Sequence, residues 1–318
     1  MPALITHELF GEEAEYLLPS GSIAGPEERT AFILGCQGPD PLFFGWTAPH
    51  MFAANSQLGS TMHSTNMSAY FDALRAATRR IPERERGIAE AFCLGLLAHY
   101  ALDRAAHPFV YGAEFDILRA QTGLEDAGSQ VHALIESELD SFMLWRLRQQ
   151  TVLDRAPESF LEQTPRIGLV AGSLMSQVAL EVYGVRISAK VFGGCIADMQ
   201  RFYRIVETQG ARASLALGRL ERMVRRGGQS LLYALAHPVL QDGSSPFANL
   251  EHYEWRNPWT EESSTDSFVD RFELALSGFA ELAQHYVEGV SGRQLTGGTN
   301  YNGVPMEDES VSIPLPEV

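Results

Sequence analysis

The sequence is poor in cysteine. Cys36, Cys93 and Cys195 are its three cysteines, and no two of them form a CxxC pair. They are too few and too scattered to build a disulfide framework. We therefore expect all three to be small, buried, apolar residues.

Basic residues are also in short supply. The chain has 24 Lys and Arg against 40 Asp and Glu, which gives a formal net charge of -16. This deficit argues against a protein that grips nucleic acid through a broad basic surface. It leaves open a small anionic substrate that is held through bound metal ions.

Long hydrophobic runs are missing, although 45% of the 318 residues are hydrophobic. No apolar run approaches the roughly 18 residues of a membrane-spanning helix. The first residues, MPALITHELF, lack the basic start and apolar core of a secretory signal. We therefore predict a cytoplasmic protein without a transmembrane segment.

Alternating strand-like patterns and linkers rich in Gly, Ser or Pro are scarce as well. Apolar residues instead recur at steps of three and four, which is the period of a helix. We predict one all-α domain over residues 1–318, built as a multi-helix bundle, with an irregular tail from about residue 291. The segments predicted to be helical are 66–80, 83–107, 129–150, 167–183, 190–206, 212–225 and 267–288.

A polar stripe in HYALDRAAHP, residues 99–108, is the first sign of chemistry. His99, Asp103 and His107 continue the apolar face of a helix that is predicted to begin near Pro82. Neighbouring ligands four residues apart rise by about 6 Å along a helix, so the stripe suits two or three ions in a row better than one. Asp103 is the natural bridge between adjacent ions.

Pro108 predicts how this helix ends. A residue that precedes a proline is pushed out of the α region, so His107 is expected at the helix end, pointing away toward a separate ion. The structural alternative for the stripe is a buried, hydrogen-bonded network of histidine and aspartate. For a single isolated His-x-x-x-Asp pair, that alternative is favoured.

A second helix shifts the balance toward metal binding. In VHALIESELD, residues 131–140, His132 and Glu136 again stand four apart, as in helical zinc sites. Glu138 and Asp140 are expected to be solvated. Asp140 shares the face of His132, however, and is a candidate acceptor for a ligand imidazole.

Three further candidates lie nearer the N-terminus. Asp40 stands between two prolines, which stiffens the backbone as a pre-organised ligand needs, although PDP is also an ordinary turn. His63 is placed at the start of a predicted helix, where it could equally be a cap or a core residue. His7 opens a pattern like HExxH, but Gly11 stands where the second histidine belongs. The histidines that match no ligand pattern are His50, His237, His252 and His285.

Taken together, these residues and their settings resemble the zinc-dependent phospholipase C family of bacteria, whose fold is shared with fungal single-strand nucleases. The similar stretches are THELFG, LGCQGPDPLFF, GSTMH and GLLAHYALDRAAHPFVY. The resemblance covers residues 1–145 well and the rest loosely, where NLEHYEWRNPW (249–259) is similar to a late segment of bacterial members. It implies an all-helical protein with zinc ions in a cleft.

The resemblance also implies how the ligands are divided among three ions. The third ion would be completed by the amine and carbonyl of the chain's first residue, a tryptophan in characterised secreted members. This sequence has no such tryptophan, and removal of Met1 would leave Pro2 as the candidate. The implied ligands are Asp40, His63, His99 and Asp103 for the first ion, His107, His132 and Glu136 for the second, and His7 with Asp103 for the third.

Two or three Zn²⁺ ions against three carboxylates leave a positive centre, which favours a phosphate ester over a neutral peptide. Such ions lower the pKa of bound water toward about 7 and clamp phosphate oxygens. We therefore expect a phospholipase C-like hydrolase that attacks a phospholipid or small phosphodiester with metal-activated water. Asp40 is the candidate catalytic residue, as ligand and base.

Two alternatives remain at this stage. One is a phosphodiesterase that resembles single-strand nucleases. The negative net charge disfavours it, because base stacking would have to replace electrostatic attraction to the nucleic-acid phosphates. The other is a non-catalytic binding protein whose metal cluster only holds helices together. Coordination closed to water would favour that second alternative.

Overall fold

A computed structural model describes residues 4–120, 122, 124, 126–208, 234–241 and 243–306. Helices dominate these residues, and the sheet is limited to two short antiparallel strands, β1 (Trp255–Arg256) and β2 (Ser263–Ser264). The predicted all-α class is confirmed. The helices are α1 (Leu4–Ala14), α2 (Pro26–Gly35), α3 (Phe52–Ser64), α4 (Met67–Thr78), α5 (Glu83–Ala120), α6 (Gly128–Arg148), α7 (Pro165–Tyr183), α8 (Ala189–Thr208), α9 (Phe268–Glu288) and α10 (Gly292–Thr296), with 3-10 turns at Glu15–Leu17, Asp40–Phe44 and Pro157–Leu161.

The long helix α5 forms the centre of the fold. It packs against α2, α6 and α9, and also contacts α1, α4 and α7. Between Ile88 and Val110 almost every residue of α5 is buried, on all sides of the helix. The polar stripe therefore lies inside the protein.

The close approach of α2 to α5 depends on two glycines. A Cβ atom on Gly95 would lie 2.1 Å from the carbonyl oxygen of Phe32, and one on Gly35 would lie 2.3 Å from the carbonyl oxygen of Phe92. These atoms belong to backbone that cannot swing aside, so only glycine permits the contact. The contact brings the end of α2 next to His99.

The predicted helices that fall on described residues are found as α4 to α9, and the segment 212–225 lies outside the described residues. The predicted end of α5 is wrong, because the helix continues through Pro108 to Ala120. Proline removes a helical hydrogen bond one turn back. Close to this point, Nε of Arg271 donates to the carbonyl oxygen of Ala105 at 2.7 Å, which ties α9 to the turn of α5 that contains Pro108.

The placement of His63 is also corrected. It lies in the last turn of α3, not at the start of a helix, because Thr65 is extended and Asn66 is left-handed (φ 59°) before α4 begins. The tail beyond residue 291 is less irregular than expected, since Gly292–Thr296 is helical. Residues 307–318 lie outside the described residues.

Two composition-based predictions concern the cysteines and the membrane. Cys36, Cys93 and Cys195 are free and buried, as predicted. Among the described helices, none combines the length and apolar character needed to cross a membrane.

Candidate metal centre

Five helical elements bring the eight candidate ligands into one region. Seven of the eight are buried, and only His63 has a partly exposed side chain, at 15%. The elements that carry them are α1 (His7), the 3-10 turn (Asp40), the end of α3 (His63), α5 (His99, Asp103, His107) and α6 (His132, Glu136).

Asp103 lies at the middle of the arrangement. Its Oδ1 is 3.0 Å from Nε2 of His7 and 3.4 Å from Nε2 of His107, while its Oδ2 is 3.1 Å from Nε2 of His99. One carboxylate thus faces three imidazoles from two helices. This is the position expected of a bridging ligand.

The remaining candidate ligands form close pairs near Asp103. Nε2 of His63 lies 2.9 Å from Oδ1 of Asp40, and Nε2 of His132 lies 3.2 Å from Oε1 of Glu136. Within each of three groups, the available ligand atoms lie within 4.8 Å of one another. The groups are His7, Asp40 and His99; His63, His99 and Asp103; and His107, His132 and Glu136.

The hydrogen bonding of these atoms fits a metal ion. Nε2 of His99, Nε2 of His132 and Oδ1 of Asp40 are buried without a hydrogen-bond partner, although atoms of opposite character lie near them. Buried polar atoms are normally satisfied, so each exception needs an explanation. Imidazole and carboxylate donors that converge without being aligned for hydrogen bonds form a set that Zn²⁺ accepts.

Main-chain oxygens orient two of the imidazoles, which we call the backbone-supported histidines. Nδ1 of His63 donates to the carbonyl oxygen of Gly59 at 2.7 Å, and Nδ1 of His99 donates to that of Cys36 at 3.0 Å. Each ring thereby presents Nε2 to the cluster, as a ligand histidine does when an outer oxygen fixes its tautomer.

Side chains orient two others, which we call the side-chain-supported histidines. Nδ1 of His107 donates to Oδ1 of Asn302, and Nδ1 of His132 donates to a carboxylate oxygen of Glu114, both at 2.8 Å. Glu114 and His132 are both buried. Again Nε2 of each ring is left to face the cluster.

Sequence reasoning missed Glu114 and Asn302. The stripe of α5 continues one turn beyond His107 to Tyr111, whose ring lies 4.5 Å from that of His132, and then to Glu114. This signal was hidden because the helix was predicted to end at Pro108. Asn302 lies in the irregular tail and has no periodic signal at all.

The expectations for Asp140 are wrong. It is fully buried rather than solvated, and the imidazole it contacts is that of His237, not that of His132. Its carboxylate accepts hydrogen bonds from the backbone of Ile5 and Thr6, which explains its burial. The candidate third-ion ligand Pro2 lies outside the described residues.

The electrostatics of the metal-free cluster differ from one side to the other. Burial raises the pKa of the Asp40 and Asp103 carboxyls, but the neighbouring imidazoles outweigh it and hold both pKa values below the ordinary range. Burial lowers the pKa of His107 to about 4. For His132, the two carboxylates of Glu136 and Glu114 outweigh burial and raise the pKa to about 9.

The chain closes over the cluster near its C-terminal end. Tyr301 is fully buried, with its ring centre 4.9 Å from that of His63 and 5.3 Å from that of His99. Its backbone N–H donates to the carbonyl oxygen of His63. The segment 298–306 therefore covers the cluster in addition to placing Asn302.

A cavity of about 420 Å³ lies away from the eight candidates and is lined in part by Arg75, Cys93 and Tyr286. Burial raises the pKa of the Cys93 thiol to about 11, so it is not a ready nucleophile.

Comparison with known protein families gives a match. A model of the family described as zinc dependent phospholipase C matches residues 6–171. The matched range contains all eight candidate ligands and Glu114, whereas Asn302 and His237 lie beyond it. No curated protein and no solved structure was found to match the chain.

Proposed function

Since the chain belongs to the zinc-dependent phospholipase C family, we propose that it is a zinc-dependent phosphodiester hydrolase. The reaction is phospholipase C-like, and the substrate is a phospholipid or a related small phosphodiester. The observation that carries the proposal is the convergence of three imidazoles, those of His7, His99 and His107, on the buried carboxylate of Asp103.

Two or three zinc ions are held by the eight clustered residues, with Asp103 as the shared ligand. The division of ligands follows the three groups of converging atoms. His107, His132 and Glu136 would form one site, while the other two groups share His99 and take in His7, Asp40, His63 and Asp103. When bound, the zinc ions supply positive charge for the phosphate oxygens and lower the pKa of a water molecule.

Asp40 contributes both as a ligand and as the catalytic base. Its carboxyl is held ionised by His63 and His99, which is the form that ligation and proton acceptance both require. The 3-10 turn that begins at Asp40 keeps the side chain in place, because the backbone N–H of Asp40 donates to Gln37. A carboxylate fixed in this way is pre-organised to orient water toward a phosphorus atom.

Substrate reaches the cluster from the side of His63, whose side chain is partly exposed. Phe43 packs beside it, with ring centres 5.7 Å apart, and is itself only partly buried. An apolar ring next to the metal ligands suits a substrate that carries an apolar group beside its phosphate. This favours a phospholipid over a nucleic acid, together with the net charge of -16.

The test combines zinc content with hydrolysis of a short-chain phosphatidylcholine. We expect Asp40→Asn to lower turnover by about a hundredfold or more while the protein stays folded, since a positioned acid–base group contributes about 10²–10⁴-fold. The matched control is Asp198→Asn, because Asp198 is also buried and accepts from Thr47 but lies outside the cluster.

Each alternative predicts a different outcome. A non-catalytic metal protein would show no hydrolysis above the metal-free sample, and Asp40→Asn would leave its properties almost unchanged. A nuclease-like enzyme would cleave single-stranded DNA faster than the lipid. Zinc-free, folded protein after zinc supplementation would contradict the hydrolase proposal altogether.

A further inference from the structure

Asp140 on α6 joins the first turn of α1 to a distant part of the chain. Its side chain is fully buried, and its Oδ2 accepts from the backbone N–H of Ile5 at 2.9 Å. Its Oδ1 accepts from the backbone N–H and the hydroxyl of Thr6, at 2.8 and 2.6 Å. A carboxylate at the N-terminus of a helix stabilises the free N–H groups there.

His237 holds the other side of that carboxylate. Its Nε2 donates to Oδ2 of Asp140 at 3.0 Å, and its Nδ1 donates to Oε1 of Glu207 at 2.8 Å. The backbone N–H of His237 donates to the same oxygen of Glu207 at 3.0 Å. His237 is buried, so these charge-assisted bonds are shielded from water.

The position of this chain of contacts matters because His7 follows Thr6 directly. Asp140 therefore binds the backbone directly before His7, whose Nε2 lies 3.0 Å from Oδ1 of Asp103. Other contacts also hold α1 in place. The side-chain amide of Gln37 donates to the carbonyl oxygen of Leu4, and Arg155 forms ion pairs with Glu8 and Glu12. Only the Asp140 contacts, among these, fix the backbone N–H groups of the turn that precedes His7.

We infer that Glu207, His237 and Asp140 form a positioning relay that places His7 on the bridging carboxylate Asp103 and so retains the zinc ion that His7 binds. This inference rests on the proposed function for the identity of the metal ligands. It adds residues from α8 and from the segment 234–241, both outside the range that the family model matches. None of the three residues contacts the metal ions in this scheme.

The experiment compares full-length variants by zinc content and by spectrum. Zinc bound per chain is measured by native mass spectrometry after dialysis against a weak chelator, for the wild type, His7→Ala, His237→Gln, Glu207→Gln and Asp140→Asn. The visible absorption of the cobalt(II)-substituted proteins gives a second readout, which reports ligand geometry rather than stability. Asp198→Asn is the matched control, as a buried aspartate that also accepts from a threonine N–H and hydroxyl.

We expect His237→Gln and Asp140→Asn to lose the same zinc fraction as His7→Ala, and to change the cobalt spectrum in the same way. Combining His237→Gln with His7→Ala should cause no further loss, because both act on one ion. Asp198→Asn should keep its zinc. Should Asp140→Asn fail to fold, His237→Gln and Glu207→Gln decide the matter, since they leave the Asp140 carboxylate in place.

Two results would overturn the relay. Folded His237→Gln and Glu207→Gln proteins that retain the full zinc content and the wild-type cobalt spectrum would show that His7 is placed without them. A His7→Ala protein that loses no zinc would show that no ion depends on His7. In that second case the proposed hydrolase function still stands if turnover depends on Asp40, so the two failures are distinguishable.

Discussion

The two halves of the candidate metal cluster are supported in different ways. His63 and His99 are oriented by carbonyl oxygens of the main chain, whereas His107 and His132 are oriented by the side chains of Asn302 and Glu114. A carbonyl oxygen is present whatever residue occupies the position, so its placement depends on backbone packing. A side-chain oxygen can be removed by one substitution.

This difference teaches where each half is vulnerable. The backbone-supported histidines depend on the course of the main chain, which for His99 means the packing of α2 against α5. The side-chain-supported histidines depend instead on two individual side chains, the carboxylate of Glu114 and the amide of Asn302. Three substitutions test this distinction.

The largest effect is expected for Gly95→Ala, which disturbs the packing of α5 against the backbone of α2. The new methyl group would lie 2.1 Å from the carbonyl oxygen of Phe32, so α2 must move and take the carbonyl oxygen of Cys36 away from His99. We expect a loss of about 3 kcal/mol in the free energy of unfolding, measured by urea denaturation, together with weaker zinc binding.

Gly278→Ala is the matched control for this change. Gly278 lies inside α9 and a Cβ there would meet no atom within 4 Å, so alanine should raise stability by about 0.5–1 kcal/mol. Equal responses from the two variants would mean that the contact of α2 with α5 does not support His99.

Glu114→Gln tests the acidic support of His132. Removing the charge weakens the bond that orients the imidazole, and outer-sphere changes of this kind cost about tenfold or more in metal affinity. Competition with a chromophoric chelator measures the affinity. Asp116→Asn serves as the control on the same helix, since Asp116 is 70% exposed. An unchanged affinity in Glu114→Gln would show that the charge of Glu114 does not support zinc binding by His132, since the amide oxygen of Gln can still accept from Nδ1.

The smallest effect is expected for Asn302→Ala. A neutral hydrogen bond contributes about 1 kcal/mol, which corresponds to a loss of roughly fivefold in zinc affinity. Asn302→Asp should restore the affinity, because a carboxylate oxygen can accept from Nδ1 of His107 in the same place. Were Asp no better than Ala, the contact would not orient the ring, and the distinction between the two halves would weaken.

The stripe of α5 was predictable because polar residues at helical spacing stand out in an apolar segment. The zinc-dependent phospholipase C family and the all-helical fold could also be identified from the ligand settings. The end of α5 was mispredicted because the rule for the residue before a proline is local, whereas α5 continues through Pro108 as a buried helix packed on several neighbours. That error concealed Glu114.

Other features had no sequence signal to find. The supports of His63 and His99 are main-chain atoms, which no residue type specifies. α1 is buried around most of its circumference, so it lacks the one-sided apolar period by which helices are recognised. Asp140 was assigned to the solvent because its partners, Ile5 and Thr6, lie over a hundred residues away.

The contact between His107 and Asn302 joins positions 195 residues apart in the chain. Bringing such distant positions together carries a loop-closure cost, and contacts of this kind tend to form late in folding. During synthesis on the ribosome, all eight candidate ligands emerge long before Tyr301 and Asn302. The cluster therefore reaches its final form only when the last part of the described chain has folded over it, so a chain truncated before residue 298 would carry every candidate ligand in an unfinished site.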